Sequence, residues 1–140
     1  DPHADQGHQA FTYSLLPHLG DWRAQTVRRA YELNLPLLAR FTEPHKGARP
    51  DSFSLVSADV PHVVVETVKT AEDSQDLIVR CYECYNQRGP VTLTFGRPLV
   101  EAAECNLVER DDQPVEFDAN QLAFHVKPYE IRTFRVRLKK

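Results

Sequence analysis

The sequence predicts a mainly β protein, an antiparallel β-sandwich with one short N-terminal helix, and three observations predict it. Beyond Pro50 seven short apolar runs follow one another, most of them alternating with period two. Between the runs stand clusters of Gly, Pro, Asn, Asp and Ser, residues that break regular structure and turn the chain. One stretch, 22–34, has helical spacing instead, with Val27, Ala30, Tyr31 and Asn34 on one face and Gln25, Arg28, Arg29 and Glu32 on the other. At 140 residues the chain has room for one domain, or one domain and a piece of another, and should bury roughly two thirds of the surface that its unfolded form exposes.

Residues 1–10 are polar, an extended lead-in rich in His, Asp and Gln. Phe11, Tyr13 and Leu15 then recur with period two around Thr12 and Ser14, which reads as a half-buried strand stopped by Pro17. A turn must follow. Gly20 can supply a positive φ, and Asp21 is placed to cap a helix that begins near Trp22. Arg28 and Glu32 are i, i+4 neighbours on that helix. It should end by Asn34, because Pro36 disfavours helical geometry in the residue before it. Residues 35–41 form an apolar extended connection, and 42–50, with two prolines and a glycine, mark the boundary between two units, 1–47 and 48–140. A strand and one helix cannot make a core. The large apolar side chains from Phe11 to Phe41 are therefore expected to pack on other sequence, to fold back across the sandwich, or to remain as a patch that drives self-association.

In the second unit strands are expected at 52–57, 63–69, 77–85, 91–95, 101–107, 121–126 and 131–138. Turns fall at 86–90 and 109–114, and a charged loop at 71–76. Val91, Leu93, Phe95, Phe134, Val136 and Leu138 should face inward. The basic end, Arg132, Arg135, Arg137, Lys139 and Lys140, puts three of its charges at 135, 137 and 139 on one face, which reads as a solvated sheet face.

Composition excludes several classes. A formal net charge of -3 argues against nucleic acid or another polyanion as partner. With 41% hydrophobic and 26% charged residues the chain is not disordered by composition, and it has no apolar run of the ~20 residues that a membrane helix needs. The first residues are not a signal peptide, and with no Met in the chain Asp1 is read as a cut point. Three cysteines cannot all pair among themselves. Cys81-x-x-Cys84 has the spacing of a redox or zinc half-site, yet residues three apart on a strand diverge, so free thiols and a cytoplasmic location are expected. The adjacent acids Glu72-Asp73 and Asp111-Asp112 read as solvated loop charges. Six histidines are scattered without metal-ligand spacing, and neither a Gly-rich phosphate loop nor a Gly-x-Ser-x-Gly elbow appears.

The run Asp5-x-Gly7-His8-x-x-Phe11-Thr12-Tyr13-x-Leu15-x-Pro17-His18-x-Gly20-x-Trp22, followed by Ala30-Tyr31-Glu32-Leu33-Asn34-x-Pro36-Leu37, resembles the C-terminal part of the α-mannosidases of glycoside hydrolase family 38. Leu77-Ile78-Val79-Arg80-x-Tyr82-Glu83, Asn106-Leu107-x-Glu109 and Pro128-Tyr129-Glu130-Ile131-x-Thr133-Phe134 continue the resemblance in order, closest to the cytosolic and bacterial branch. It implies a non-catalytic tail of a longer retaining enzyme that hydrolyses terminal α-D-mannosyl residues. The catalytic carboxylates, about 5 Å apart in such enzymes, and a divalent metal, zinc or cobalt, would belong to the absent catalytic domain. That domain and the central β domain of the same polypeptide are the implied partners, with mannosidic glycans met through the full enzyme. The family has a His-x-Asp metal pair, but His3-Ala4-Asp5 lacks the tryptophan that follows it there, so His3 and Asp5 read as surface residues.

No catalytic, cofactor or metal residue can be placed in this chain. One constellation is left: His18, Asp21 and Trp22, on a turn that either rims the sugar site or an interdomain contact, or simply anchors and caps the helix. The alternatives from another class are an independent carbohydrate-binding sandwich and a homo-oligomerisation module. The former needs coplanar exposed aromatics, and Trp22, Tyr82 and Tyr85 do not line up by period. Thiol titration in denaturant without reductant should count three free cysteines; a count of one would show that a pair had formed.

Overall fold

The computed structural model describes residues 4–47 and 50–139. His3 of the His-x-Asp comparison, Ala48 and Arg49 of the boundary stretch and Lys140 of the basic end lie outside the described residues. The chain separates between Glu43 and Pro44 into two compact units.

In the first unit the helix, α1, spans Thr26–Asn34. It starts later than the apolar spacing suggests, because residues 22–25 are turns: Ala24 N donates to Asp21 O at 3.1 Å and Thr26 N to Trp22 O at 3.1 Å. Asp21 does not cap the helix. Its Oδ1 accepts the nearer Arg23 N at 2.9 Å, an Asx-type turn, and the N-cap position is held by Gln25 without a side-chain bond. The end falls where Pro36 requires it, with Leu35 N closing on Tyr31 O at 2.8 Å. Arg28 Nε meets Glu32 Oε1 at 3.2 Å. The expected strand at 11–15 is absent. The backbone is extended there and the Phe11 and Tyr13 rings lie 6.3 Å apart, but a strand needs a ladder partner, and none of the described residues supplies one. No residue of α1 is buried, and Phe11, Tyr13, Leu15, Leu37, Leu38 and Phe41 stand exposed.

The second unit is built from β1 (Val56–Ala58), β2 (Val63–Thr70), β3 (Leu77–Glu83), β4 (Gly89–Phe95), β5 (Leu99–Cys105), β6 (Gln113–Pro114), β7 (Gln121–Val126) and β8 (Ile131–Leu138). All pairs are antiparallel, in sheets of order β1-β4-β7 and β2-β3-β8-β5-β6. Several elements differ from expectation: β3 stops at Glu83, short of residue 85, β4 begins at Gly89 inside the turn expected at 86–90, and β5 runs over 99–105 where 101–107 was expected. Residues 52–55 lie outside β1, and a two-residue strand, β6, falls inside the turn expected at 109–114.

Alternation fixes the core. Val91, Leu93, Phe95, Leu122 and Val126 from one sheet meet Val63, Val79, Cys81, Ala102, Phe134 and Val136 from the other, all nearly inaccessible, with Leu138 partly buried against them. Each large side chain so buried stabilises the fold by roughly 1.5–3 kcal/mol. At one end of this core Arg132 lies across the rings of Phe124 and Phe134, 5.2 and 5.7 Å from their centroids, and forks onto the Glu104 carboxylate.

The outer face of the five-stranded sheet carries a second, smaller core of Ala71, Ile78 and Cys105, and here the solvated reading of the basic strand holds for Arg137 and Lys139 and fails for Arg135. Arg135, only 11% exposed in its side chain, pairs with Asp73, donates to Glu109 O at 2.8 Å and has Nε 2.8 Å from Asp112 Oδ2. Arg137 forks onto Asp76 at 2.7 and 3.0 Å and reaches Glu101. Glu72 pairs with Lys69, and Asp111 accepts from Asn106. The four acids are exposed loop charges, as read, but two of them, Asp73 and Asp112, together with Asp76 also latch loops 71–76 and 106–112 to the sheet. Lys139 stays exposed.

The sheet edges are blunted one by one. A bulge between Val65 and Thr67 interrupts β2, Pro114 ends β6, and on β7 the outward carbonyl of His125 accepts Arg132 Nη1 at 2.6 Å. At the opposite end the segment 53–55 crosses Gly96 so closely that a Cβ there would lie 2.4 Å from Ser54 O and 2.6 Å from the Phe53 ring. Gly96→Ala should therefore lower stability by about 1–3 kcal/mol, measured as a drop in the urea midpoint; an unchanged midpoint would mean that the segment yields freely.

Candidate functional site

The turn at His18 is set by Pro17 before it and Gly20 within it, the latter at φ 82°. His18 is half-buried, its Nδ1 3.2 Å from Leu19 O. The Asp21 carboxylate is taken by Arg23, with Nη1 2.8 Å from Oδ2, and the same guanidinium lies 5.3 Å from the centroid of the Trp22 ring. Asp21 and Trp22 thus share the Arg23 guanidinium, while the His18 ring lies against the adjacent Leu19 carbonyl. The turn presents a cation-covered indole and an imidazole, and its carboxylate is already paired.

Elsewhere the chemistry-bearing residues hold the fold. Among the described residues no group of three His, Cys, Asp or Glu side chains could share a metal ion. Cys81 points into the core, and burial pushes its thiol up to about 12; Cys84 lies just past β3, its Sγ 3.4 Å from His62 O. All three cysteines are buried and free. Tyr82 on β3 and Tyr85 in the turn after it are both half-buried.

The motif acids have a different role, one that sequence reasoning missed. Glu83 is 1% exposed, and its carboxylate accepts four backbone N–H groups: Tyr85 at 2.7 Å, Asn86 at 3.1 Å, Gln87 at 3.1 Å and Tyr129 at 2.9 Å. Burial works to raise its pKa, yet the N–H donors together outweigh burial and hold it below the usual carboxylate range. Glu109 repeats the device on the outer face, bonding Lys69 Nζ at 2.8 Å and Glu72 N at 2.9 Å, and Lys69 above all lowers its pKa. Asn106 Oδ1 accepts Val108 N and Arg110 N, both at 3.0 Å. Non-glycine residues at positive φ mark these tight turns: Asn86, Glu109, Asp111 and Tyr129 lie between 57° and 62°. The available signal was an acid ending an apolar strand directly before a turn.

Residues 62–134 match the family described as "Glycosyl hydrolases family 38 C-terminal beta sandwich domain". Among curated proteins the chain is similar to "Alpha-mannosidase 2C1" of Mus musculus, 36% identical over 140 residues, and of Homo sapiens, 37% identical over 138 residues. It is also 30% identical over 143 residues to "Alpha-mannosidase G" of Dictyostelium discoideum. These alignments cover 95%, 94% and 96% of this chain and 13% of each relative, so the chain spans a small fraction of their length.

Because the folded pKa of Glu83 is depressed, its contribution to stability is complete above the unfolded value of about 4.3 and is lost as pH falls through the folded one. Glu83→Gln leaves some of the N–H groups without an acceptor and should cost about 1.5–3 kcal/mol at pH 7. It should also flatten the acid limb of stability against pH. Urea unfolding of both proteins from pH 7 down to pH 3 checks this; parallel acid limbs would remove Glu83 as the titrating group.

Proposed function

The chain belongs to glycosyl hydrolase family 38, whose C-terminal β-sandwich domain it forms, and from that premise we propose that it works as a non-catalytic module of an α-mannosidase polypeptide. The reading is carried by one observation: the family match covers residues 62–134 of the second unit, whose two buried motif acids, Glu83 and Glu109, are committed to turn and loop backbone. In this proposal the parent enzyme hydrolyses terminal α-D-mannosyl residues with retention. The carboxylates and the divalent metal, zinc or cobalt, reside in other domains of that polypeptide.

The module buttresses those domains. The exposed apolar row Phe11, Tyr13 and Leu15 and the bare helix α1 supply the surface for the central β domain that precedes it, where 11–15 gains its ladder partner. The turn of His18, Asp21 and Trp22 lies at that interdomain contact or at the rim of the sugar site. Three buried free thiols support a reducing, cytosolic compartment, and no helix of the described residues is long and apolar enough to cross a membrane.

A chromogenic α-mannoside tests the division of labour. The 140-residue chain should give no turnover above blank with or without added zinc or cobalt, while the full-length polypeptide turns over. Metal-dependent turnover by the chain itself would overturn its non-catalytic role, and an inactive full-length protein would overturn the activity.

A further inference from the structure

The two sheets treat their outer faces differently. On the five-stranded sheet, loops latched by Arg135 and Arg137 cover the surface. On the three-stranded sheet, alternation sends Val91, Leu93 and Phe95 and Leu122 and Val126 inward, so Thr92 and Thr94 of β4 and Gln121 and Ala123 of β7 share the other side. The register sets Thr92 opposite Ala123, Thr94 opposite Gln121 and Ser57 opposite Thr94. With Pro90 opposite His125 farther along the pair, the result is a surface of hydroxyls, an amide, a methyl group and one imidazole.

One strap borders this surface. Residues 115–118 lead from β6 into β7 and are pinned where Asp118 and Gln121 exchange backbone hydrogen bonds at 2.9 and 2.7 Å. The strap places Glu116, Phe117 and Asp118 beside Thr92, Gln121 and Ala123 around an open cavity of about 350 Å³. Among the described residues the side chains of Glu116, Asp118 and Gln121 have neither an ion pair nor a hydrogen bond. This sets them apart from the latch acids of the opposite sheet. Phe117 is 38% exposed.

We propose that this cavity is a shallow binding subsite for one or two residues of a neutral saccharide. A sugar offers paired hydroxyls, which both donate and accept, and an apolar C–H face. The cavity offers two free carboxylates as acceptors, Thr92 and Gln121 as donors and acceptors, and an aromatic ring. Other ligand classes use less of it. A polyanion meets Glu116 and Asp118, an apolar partner finds one large side chain, and a simple cation leaves the hydroxyl and amide donors without acceptors. The size falls near the lower end of small-molecule sites, roughly 300–1,000 Å³. The inference rests on the sandwich alone and stands apart from the activity proposed for the parent enzyme.

The test is a titration of the ¹⁵N-labelled chain, followed by amide shifts, with α-1,2-mannobiose and maltose as neutral probes and choline chloride and calcium chloride as cationic ones. At least one disaccharide should shift the Thr92, Phe117, Gln121 and Ala123 amides saturably, with a Kd on the order of 1 mM. Phe117→Ala and Asp118→Asn should each weaken that binding about tenfold or more, equivalent to about 1.4 kcal/mol, with the dispersion of the remaining amides unchanged. If Phe117→Ala unfolds the sandwich, Asp118→Asn and Gln121→Ala decide. The proposal is overturned by no saturable shift at about 20 mM sugar, by shifts that map elsewhere, or by a site that fills with choline or calcium and ignores both sugars.

Discussion

A carboxylate taken out of water costs several kcal/mol unless its oxygens are fully bonded, and the sandwich is arranged around one such group. Glu83 has the side-chain parity of Val79 and Cys81, so its place at the end of β3 carries a charge to the edge of the core. Only backbone N–H groups are spent on it, from the turn after β3 and from Tyr129 before β8. That requirement ties two turns remote in sequence to one point. It also fixes how β3 meets β8, because Glu83 N in turn donates to Glu130 O at 3.0 Å. The strained φ of Asn86 and Tyr129 is tolerated because each N–H gains an ionised acceptor.

The same economy governs the outer face. Arg135 holds two loops with one guanidinium, and Glu109 closes the far side by bonding both Lys69 and the backbone of Glu72. Glu83, Asn106, Glu109 and Tyr129, which carry the family resemblance, are thus joinery. A small sheet with long connections can have a recognisable sequence for structural reasons alone, because it needs specific groups at a few turns.

Much of this was legible in the sequence, and the rest was hidden for a physical reason. Period-two alternation located the strands and the inward set from Val91 to Val136, because burial of one face dictates that pattern directly. Pro36 gave the helix its end. Residues 11–15 alternate equally well, but alternation records only a face meant for burial and says nothing of whether a neighbouring strand is present. Asp21, Arg135 and the strap at Phe117 were misread or missed for a related reason. The partners of a polar side chain are chosen by loops that arrive from far along the chain, as when Asp73 reaches Arg135, and no local spacing encodes that meeting. The His18 turn was legible as a turn, and its commitment to Arg23 was not.

The order of strands carries one more consequence. In the five-stranded sheet β8, the last strand in sequence, lies between β3 and β5 and pairs with both. Until β8 emerges from the ribosome, β3 and β5 therefore each expose an unpaired edge, and Phe134 and Val136 are missing from the centre of the core. The sheet cannot grow outward from a finished nucleus; it must wait for its middle. Closing the five-stranded sheet therefore depends on β8 and on contacts distant in sequence, which close slowly.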